Sequence, residues 1–339
     1  MNKVYYGKAV YNSKEINAVL RVLKNESLSL IDGKNVKILE KKVSNLFGKK
    51  YGLMVNSGSS ANLLALASFN FKKGSEIITP NLTFSTTVAP IYQLGLIPHF
   101  VGVEENKFVT EVSQITKCIN SKTVAIMIPN LLGNIADWKS INKIAKKYNL
   151  KVIEDCAQSF GAKYKKKYVG TFGEVGCFSL HPLKSLGAAG DGGFIVTKNR
   201  SLYEKFIRLR NHGQGRRKNG KYLKSRYDID YFGFCTRLDN LQAAIVNTKL
   251  KQLNKNIRLR NKIAENYNKS FEDLPLVLPK IHKKDMYLDV FNSYVIRTKK
   301  QFSLFKFLRK KGIEVLINWP KPLYHHKGLK LKKIFLKNN

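Results

Sequence analysis

Lys184 sits between a short apolar run and a glycine-rich turn in FSLHPLKSLGAAGDGG, residues 178–193. An amine held in such a loop can attack an aldehyde or carry a proton. Position alone does not single it out, because the chain holds 61 Lys and Arg residues and most lysines in so basic a sequence are solvated surface charges. Two other stretches change that. In NSGSSANLLAL, residues 56–66, a strand runs into small residues and then a helix, so free backbone N–H groups and the positive end of the helix dipole meet the hydroxyls of Ser57, Ser59 and Ser60. That arrangement binds phosphate, with Gly58 letting an anion close to the backbone, or else it is an ordinary Ser-capped helix. In VIEDCAQSFGA, residues 152–162, two apolar residues lead to Glu154 and Asp155 at the carboxyl end of a strand. A carboxylate there can keep a bound pyridine nitrogen protonated, or it can cap a helix or meet a surface lysine.

A phosphate cradle, a strand-end acid and a later lysine are together the parts that a pyridoxal 5′-phosphate enzyme requires: an anchor, a group that tunes the ring, and an amine that joins the aldehyde. The elements that must position them are legible. YGLMVN, EIITP, IPHFVGV, TVAIMIPN, KVIEDCA, CFSL and GFIVT read as strands, separated by the helical patterns SSANLLALASF, TFSTTVAPIYQLG and DWKSINKIAKKYN and by an EVSQITKCI segment. This alternation predicts an α/β domain built on a parallel sheet covered by helices. Lys184 then falls on a loop between the last two strands, at the kind of sheet edge where open α/β folds place ligands. LDNLQAAIVNTKLKQLNKNIRLRNKIAENY reads as one long helix leaving the sheet. Beyond it the proline-bounded FEDLPLVLP leads to a strand, FNSYVIRT, a helix, QFSLFKFLRKKG, and a strand, IEVLINW. The predicted division is a large domain with an N-terminal arm over residues 1–236, a connecting helix over 237–270 and a small C-terminal α/β lobe over 271–339.

At 339 residues and 43% hydrophobic content the chain can bury one large core and one smaller one. The amino end, MNKVYYGKAVYN, has no apolar h-region, and no apolar run approaches a membrane span, which predicts a cytoplasmic protein without stable membrane insertion. Cys118, Cys156, Cys177 and Cys235 form no C-x-x-C pair and no cluster with histidines, so they read as free thiols in a reducing compartment, and no metal site is expected. A net charge of +38 raises the possibility of nucleic-acid binding. The basic residues are spread along the chain instead of forming one arm or stripe, which argues against it. Even the densest run, HHKGLKLKKIFLKNN, reads as a solvated tail, although such charge still draws an anionic substrate.

The successive motifs NSGSSANLLAL, TPNLTF, VIEDCAQSFGA, FSLHPLKSLGAAGDGG, RLRNHG and GFCTRLDNLQAAI, from about Gly33 to Pro322, resemble the signatures of the DegT/DnrJ sugar aminotransferases. The resemblance implies a fold-type I pyridoxal-phosphate-dependent transferase, its large α/β domain built on a mixed, mostly parallel sheet, that works as a homodimer with shared active sites. It implies transfer of an amino group from glutamate to a nucleotide-linked keto sugar, in amino-sugar and surface-polysaccharide (lipopolysaccharide) biosynthesis. Lys184 then matches the covalent, catalytic lysine, Asp155 the acid on the pyridine nitrogen and Gln158 the partner of the ring hydroxyl. Ser59, Ser60 and Ser179 match the phosphate holders, and Phe84 the aromatic ring stacked on the cofactor with Ala157 on its other face. A lysine with these duties needs a lowered pKa, which burial supplies.

The sequence departs from the family pattern in places. Cys235 stands where the family usually has an Asn that reaches the partner's cofactor phosphate; a thiol is a weak donor, and Thr236 or Arg237 can take its place. Asp191 replaces the more usual glutamate in GAAGDGG with the charge kept. Family members continue past WPKPLYHH with a further stretch, so the small lobe is expected to be shortened and to expose apolar surface. His325 and His326 fall near a family histidine that approaches substrate, and with Arg237 they are the candidate substrate contacts; a solvated histidine pair accounts for them equally well. RNHGQGRRKNGKYLKSR, residues 210–226, reads either as a diphosphate-holding segment or as a mobile surface loop. A related branch carries histidine in place of the lysine and removes a sugar hydroxyl instead; NSGSSANLLAL resembles that branch too, but here His181 precedes Lys184 and does not replace it. A family member that binds without turnover is the remaining alternative.

Overall fold

The structure is a computed structural model, and it describes residues 3–26, 29–48, 51–105, 107–215, 227–282 and 286–329. Its strands, in chain order, are β1 (Tyr51–Val55), β2 (Glu76–Pro80), β3 (Ile97–Val101), β4 (Thr123–Pro129), β5 (Lys151–Asp155), the short pair β6 (Lys163–Tyr164) and β7 (Lys167–Tyr168), β8 (Val175–Ser179), β9 (Gly193–Thr197) and β10 (Tyr287–Leu288). Seven of them form one sheet in the order β1-β9-β8-β5-β4-β2-β3. β9 runs antiparallel to both its neighbours and every other pairing is parallel, so the sheet is mixed and mostly parallel as predicted. One consequence matters for chemistry: the carboxyl ends of β1, β2, β4, β5 and β8 share a single edge.

Both faces of this sheet are covered, which is why its strands read as nearly unbroken apolar runs. Helices α1 (Ser13–Arg21), α2 (Lys34–Leu46), α3 (Gly58–Phe69), α4 (Ser85–Gln93), α5 (Val112–Ile115), α6 (Trp138–Lys147), α7 (Arg200–Arg210), α8 (Asn240–Leu250), α9 (Leu253–Phe271) and α10 (Gln301–Lys310) complete the described elements. Strand alternation sends Leu53, Val55, Met127, Ile153, Cys177 and Ile195 into one core with α3 and α7. Met54, Ile126, Ile128, Val152, Phe178 and Val196 go into the other, with α2, α6 and α8. Side-chain caps start several helices where the sequence supplies them: Ser57 accepts from Ser60 N, Asp137 from Ser140 N and Asn199 from Leu202 N.

Three expectations are corrected. The single long helix from Arg237 is two, because the chain breaks at Lys251 and Gln252. Its apolar pattern continues across the break, but α8 is buried nearly all round, at Ala243 through Asn247, whereas α9 buries only Leu253, Ile257 and Ala264. FNSYVIRT and IEVLINW are not strands: each makes one isolated bridge, Arg297 with Val277 and Ile313 with Val4. Apolar content without a neighbouring strand to supply partners does not make a ladder. EVSQITKCI shortens to α5 and a 3₁₀ turn.

The N-terminal arm ties distant parts together. Val4 N donates to Gly312 O at 2.9 Å, Glu314 N donates to Val4 O at 2.8 Å, and the Tyr11 hydroxyl donates to Ala188 O at 2.8 Å, on the same β8–β9 loop that carries Lys184. Among the described residues no helix is long and apolar enough to cross a membrane.

Candidate active site

The α3 amino end is built by close approach. Ser57 Oγ accepts from Ser60 N at 3.0 Å and donates to Ser60 Oγ at 2.9 Å, and Ser60 Oγ donates to Asn56 Oδ1 at 2.7 Å. Ser59 is exposed and its hydroxyl has no partner among the described residues, so it is the one ready for a ligand. Gly58 is required: a Cβ there would lie 2.7 Å from Ser179 Cβ, so only glycine lets α3 come up against the end of β8. Ser179 is buried, and its Oγ accepts from His181 N at 3.2 Å.

Strand pleating separates the two acids of VIEDCA. Glu154 goes to the α6 face, fully buried, and accepts from Gly170, Phe172 and Gly173 N–H groups at 2.6, 2.6 and 2.7 Å; it secures the turn between β7 and β8. Asp155 goes to the α3 face, 6% exposed. Its Oδ2 accepts from Asn62 Nδ2 at 2.9 Å and from Thr87 Oγ1 at 2.8 Å, and its Oδ1 from Ala157 N at 3.0 Å. Neither Asn62 nor Thr87 is marked by the sequence motifs. The available signal for Asn62 was a lone amide inside the apolar run ANLLALASF.

Lys184 stands on the β8–β9 loop, half-buried, its N–H donating to His181 O at 2.9 Å. Burial lowers its pKa from the ordinary lysine value, and the negative charge of Asp155 opposes that shift. The two groups are close enough for their charges to interact. Gln158 follows on the same edge, its Oε1 anchored by Leu132 N at 2.8 Å, which leaves the amide N–H₂ as its donor end. Phe84 precedes α4, one turn from Thr87, and is 57% exposed, so its ring face is open for stacking. Ala157 is half-buried beside Asp155.

The remaining candidates lie at the margins. Asn56 N donates to Thr236 O at 2.9 Å, which sets Cys235 next to the α3 amino end; its thiol is exposed and 3.5 Å from Arg237 Nη2. Arg237 also meets His212 Nε2 at 3.3 Å. His325 packs edge-on against Tyr324, which in turn meets Phe100, and the segment docks on the sheet through Leu323 N donating to Asn81 O at 2.8 Å. His326 is half-buried alongside. Arg210 of RLRNHG is structural, paired with Glu40 at 2.8 Å and Asp32 at 3.2 Å. The proposed diphosphate segment falls from residue 216 onward, and the basic tail from residue 330 onward, outside the described residues.

The donor set fits pyridoxal phosphate: free N–H groups and Ser59 at a helix amino end, a cradle that only glycine permits, an acid held by three donors, and an amine whose pKa burial lowers. Fold and edge together define a pyridoxal-phosphate-dependent transferase. A model of the DegT/DnrJ/EryC1/StrS aminotransferase family matches residues 10–334, and the chain belongs to that family. It is 37% identical over 316 residues to the dTDP-3-amino-3,6-dideoxy-α-D-galactopyranose transaminase of Aneurinibacillus thermoaerophilus, covering 93% of this chain and 84% of that one. It is 34% identical over 302 residues to the UDP-N-acetyl-3-dehydro-α-D-glucosamine 3-aminotransferase of Acidithiobacillus ferrooxidans, covering 89% and 79%. The solved GDP-4-keto-6-deoxy-D-mannose-3-dehydratase of Escherichia coli with bound hydrated pyridoxal phosphate superposes with a TM-score of 0.87 at 28% identity, over 97% of this chain and 88% of that one. The protein is thus a pyridoxal-phosphate-dependent transaminase of a family that contains both aminating and dehydrating enzymes acting on nucleotide-linked sugars.

Proposed function

We propose that this enzyme transfers the amino group of glutamate to the keto carbon of a nucleotide-linked sugar, as a homodimer whose partner supplies part of each site. The observation that carries the reading is Lys184: a half-buried amine whose pKa burial lowers and the charge of Asp155 raises, on the β8–β9 loop at the edge where α3 presents its N–H groups. Bound pyridoxal phosphate supplies an electron-accepting ring and an aldehyde through which nitrogen is exchanged. The chain's residues do the rest. Ser59, Ser60, Ser179 and the α3 amino end hold the phosphate; Asp155 holds the ring nitrogen's proton; Gln158 donates to the ring hydroxyl; Phe84 and Ala157 cover the two faces. Lys184 holds the aldehyde at rest and, once displaced by the donor amine, carries the proton between the donor's Cα and the cofactor, then to the sugar carbon.

In this reading residues 1–236 hold the cofactor, residues 237–270 connect, and residues 271–339 close over the sugar. The docking of Leu323 beside Asn81 supports a substrate role for His325 and His326, since Asn81 lies three residues before Phe84. Arg237, beside Cys235, is suited to an anionic part of the substrate or to the partner's phosphate. The dehydrating reaction of the solved relative is the second reading. An amine at position 184 disfavours it, because that amine makes nitrogen exchange the simpler outcome.

The test is direct. Borohydride reduction of the cofactor-loaded protein should fix the cofactor on the peptide that contains Lys184, and glutamate should bleach its absorbance. The resulting amine form, offered a panel of nucleotide-linked keto sugars, should yield an amino sugar by mass. A deoxy product without nitrogen would establish the dehydratase, and no product with any sugar would sink both.

A further inference from the structure

Asp155 is held by more than a pairing acid needs. Asn62, Thr83 and Thr87 are each 1% exposed and lie on α3 or at the start of α4, all on the Asp155 side of the sheet. Thr87 donates its one hydroxyl hydrogen to Asp155 Oδ2, so in the 2.8 Å contact between Thr83 Oγ1 and Thr87 Oγ1 the donor must be Thr83. This makes a one-way chain of donors ending on the carboxylate. Asn62 Nδ2 gives one hydrogen to Thr86 O at 3.2 Å and the other to Asp155 Oδ2 at 2.9 Å. Both neighbours are acceptors, which fixes the amide's orientation and leaves its Oδ1 buried without a partner. A leucine in this apolar helix would avoid that orphaned oxygen. Packing therefore does not explain Asn62, whereas a donor for Asp155 does.

We propose that Asn62 and Thr87, with Thr83 behind Thr87, are positioning residues that keep the Asp155 carboxylate charged and aimed, and so set the protonation of the cofactor's ring nitrogen. The inference rests on the pyridoxal phosphate site described above. The other groups facing Asp155 are few. Lys184 faces it from the β8–β9 loop. The Cys156 and Cys177 thiols are pushed well up by burial and stay uncharged. Glu154 lies on the opposite face, committed to backbone N–H groups. Each donor removed leaves the negative charge on Oδ2 less stabilised, so the carboxylate becomes more basic and the pair it forms with the ring nitrogen holds its shared proton to higher pH.

The experiment loads wild-type protein and variants with pyridoxal phosphate labelled with ¹⁵N in the ring and follows the nitrogen shift by NMR across pH. Thr87→Val and Asn62→Leu should each raise the pH at which the pair of ring nitrogen and Asp155 loses its shared proton by about 1 unit, a tenfold change, and together by more. Thr83→Val should give a smaller shift in the same direction, and Thr87→Ser should restore the wild-type midpoint. Thermal unfolding of the cofactor-free variants identifies any that fail to fold, and should Asn62→Leu do so, the threonine series carries the test. Wild-type midpoints in every folded variant, with Asp155→Asn alone collapsing the midpoint, would overturn the proposal and leave the site reading intact. An Asp155→Asn midpoint equal to wild type, or no uptake by the wild-type protein, would overturn the site reading and this inference with it.

Discussion

The carboxyl edge of the main sheet and the segment after α9 are built on opposite principles. At the edge, nearly every side chain is placed by a second one: Asp155 by Asn62, Thr87 and Ala157 N, Gln158 by Leu132 N, the α3 end by the approach of Gly58 to Ser179. After α9, by contrast, α10 buries no residue, and Phe302, Phe307 and Leu316 are more than half exposed. The later segment is held to the rest at separate points, among them Val290 in the main core, β10 on β6, Arg297 paired with Glu105, Ile313 and Glu314 on the N-terminal arm, and Leu323 on Asn81. The difference teaches where rigidity is needed. Groups that act on one atom of a cofactor must be fixed to a fraction of an ångström, whereas a part that closes over a large substrate needs only a hinge and a docking point.

Substitutions can break that contrast. Lys184→Arg should have the largest effect, lowering transamination by about 10⁴-fold, the upper end of what a positioned base supplies, while leaving the unfolding midpoint within the error of wild type. Steady-state kinetics with glutamate and denaturant unfolding check the two halves. Gly58→Val forces a branched side chain into the 2.7 Å gap to Ser179 and should cost about 1–3 kcal/mol by overpacking, with cofactor affinity falling alongside, measured by titration of the cofactor-free protein. Glu154→Gln weakens three charge-assisted backbone bonds and should cost about 2 kcal/mol of stability with turnover per folded molecule unchanged; its neighbour Asp155→Asn should do the reverse.

Two smaller effects sharpen the comparison. Only a neutral amine attacks the aldehyde, and burial lowers the pKa of Lys184, so cofactor uptake should accelerate as pH rises, through a midpoint below the value of about 10.4 for a free lysine. Asp155 opposes that shift, so Asp155→Asn should move the midpoint further down; stopped-flow absorbance reads both. Phe302→Ser, at a side chain 63% exposed, should change stability by no more than about 0.5 kcal/mol. A loss several times larger would show that something covers this face and that the later segment is not loosely built.

Much of the edge was legible from the chain. The seven strands of the main sheet, the Ser-rich turn into α3, Asp155 at a strand end and Lys184 on an inter-strand loop all follow from local pattern. Strands buried on both faces are apolar throughout, and special turns demand small residues. What was not legible depends on partners distant in sequence. The strand reading of FNSYVIRT failed because, among the described residues, it pairs only through the isolated bridge of Arg297 with Val277. The break between α8 and α9 left the helical period untouched. Asn62, Thr83 and Thr87 are ordinary residues until α3 and α4 bring them to Asp155, 93, 72 and 68 residues away.

The sequence by itself determined the chemistry on offer: which amine, which acid, which anion cradle, and the order in which they meet the strands. Tertiary structure alone decided what each of the two adjacent carboxylates touches. Glu154 and Asp155 are nearly interchangeable as letters, but a strand turns successive side chains to opposite faces. Glu154 therefore became a structural clamp, and Asp155 went to the α3 face, where Asn62 and Thr87 hold it.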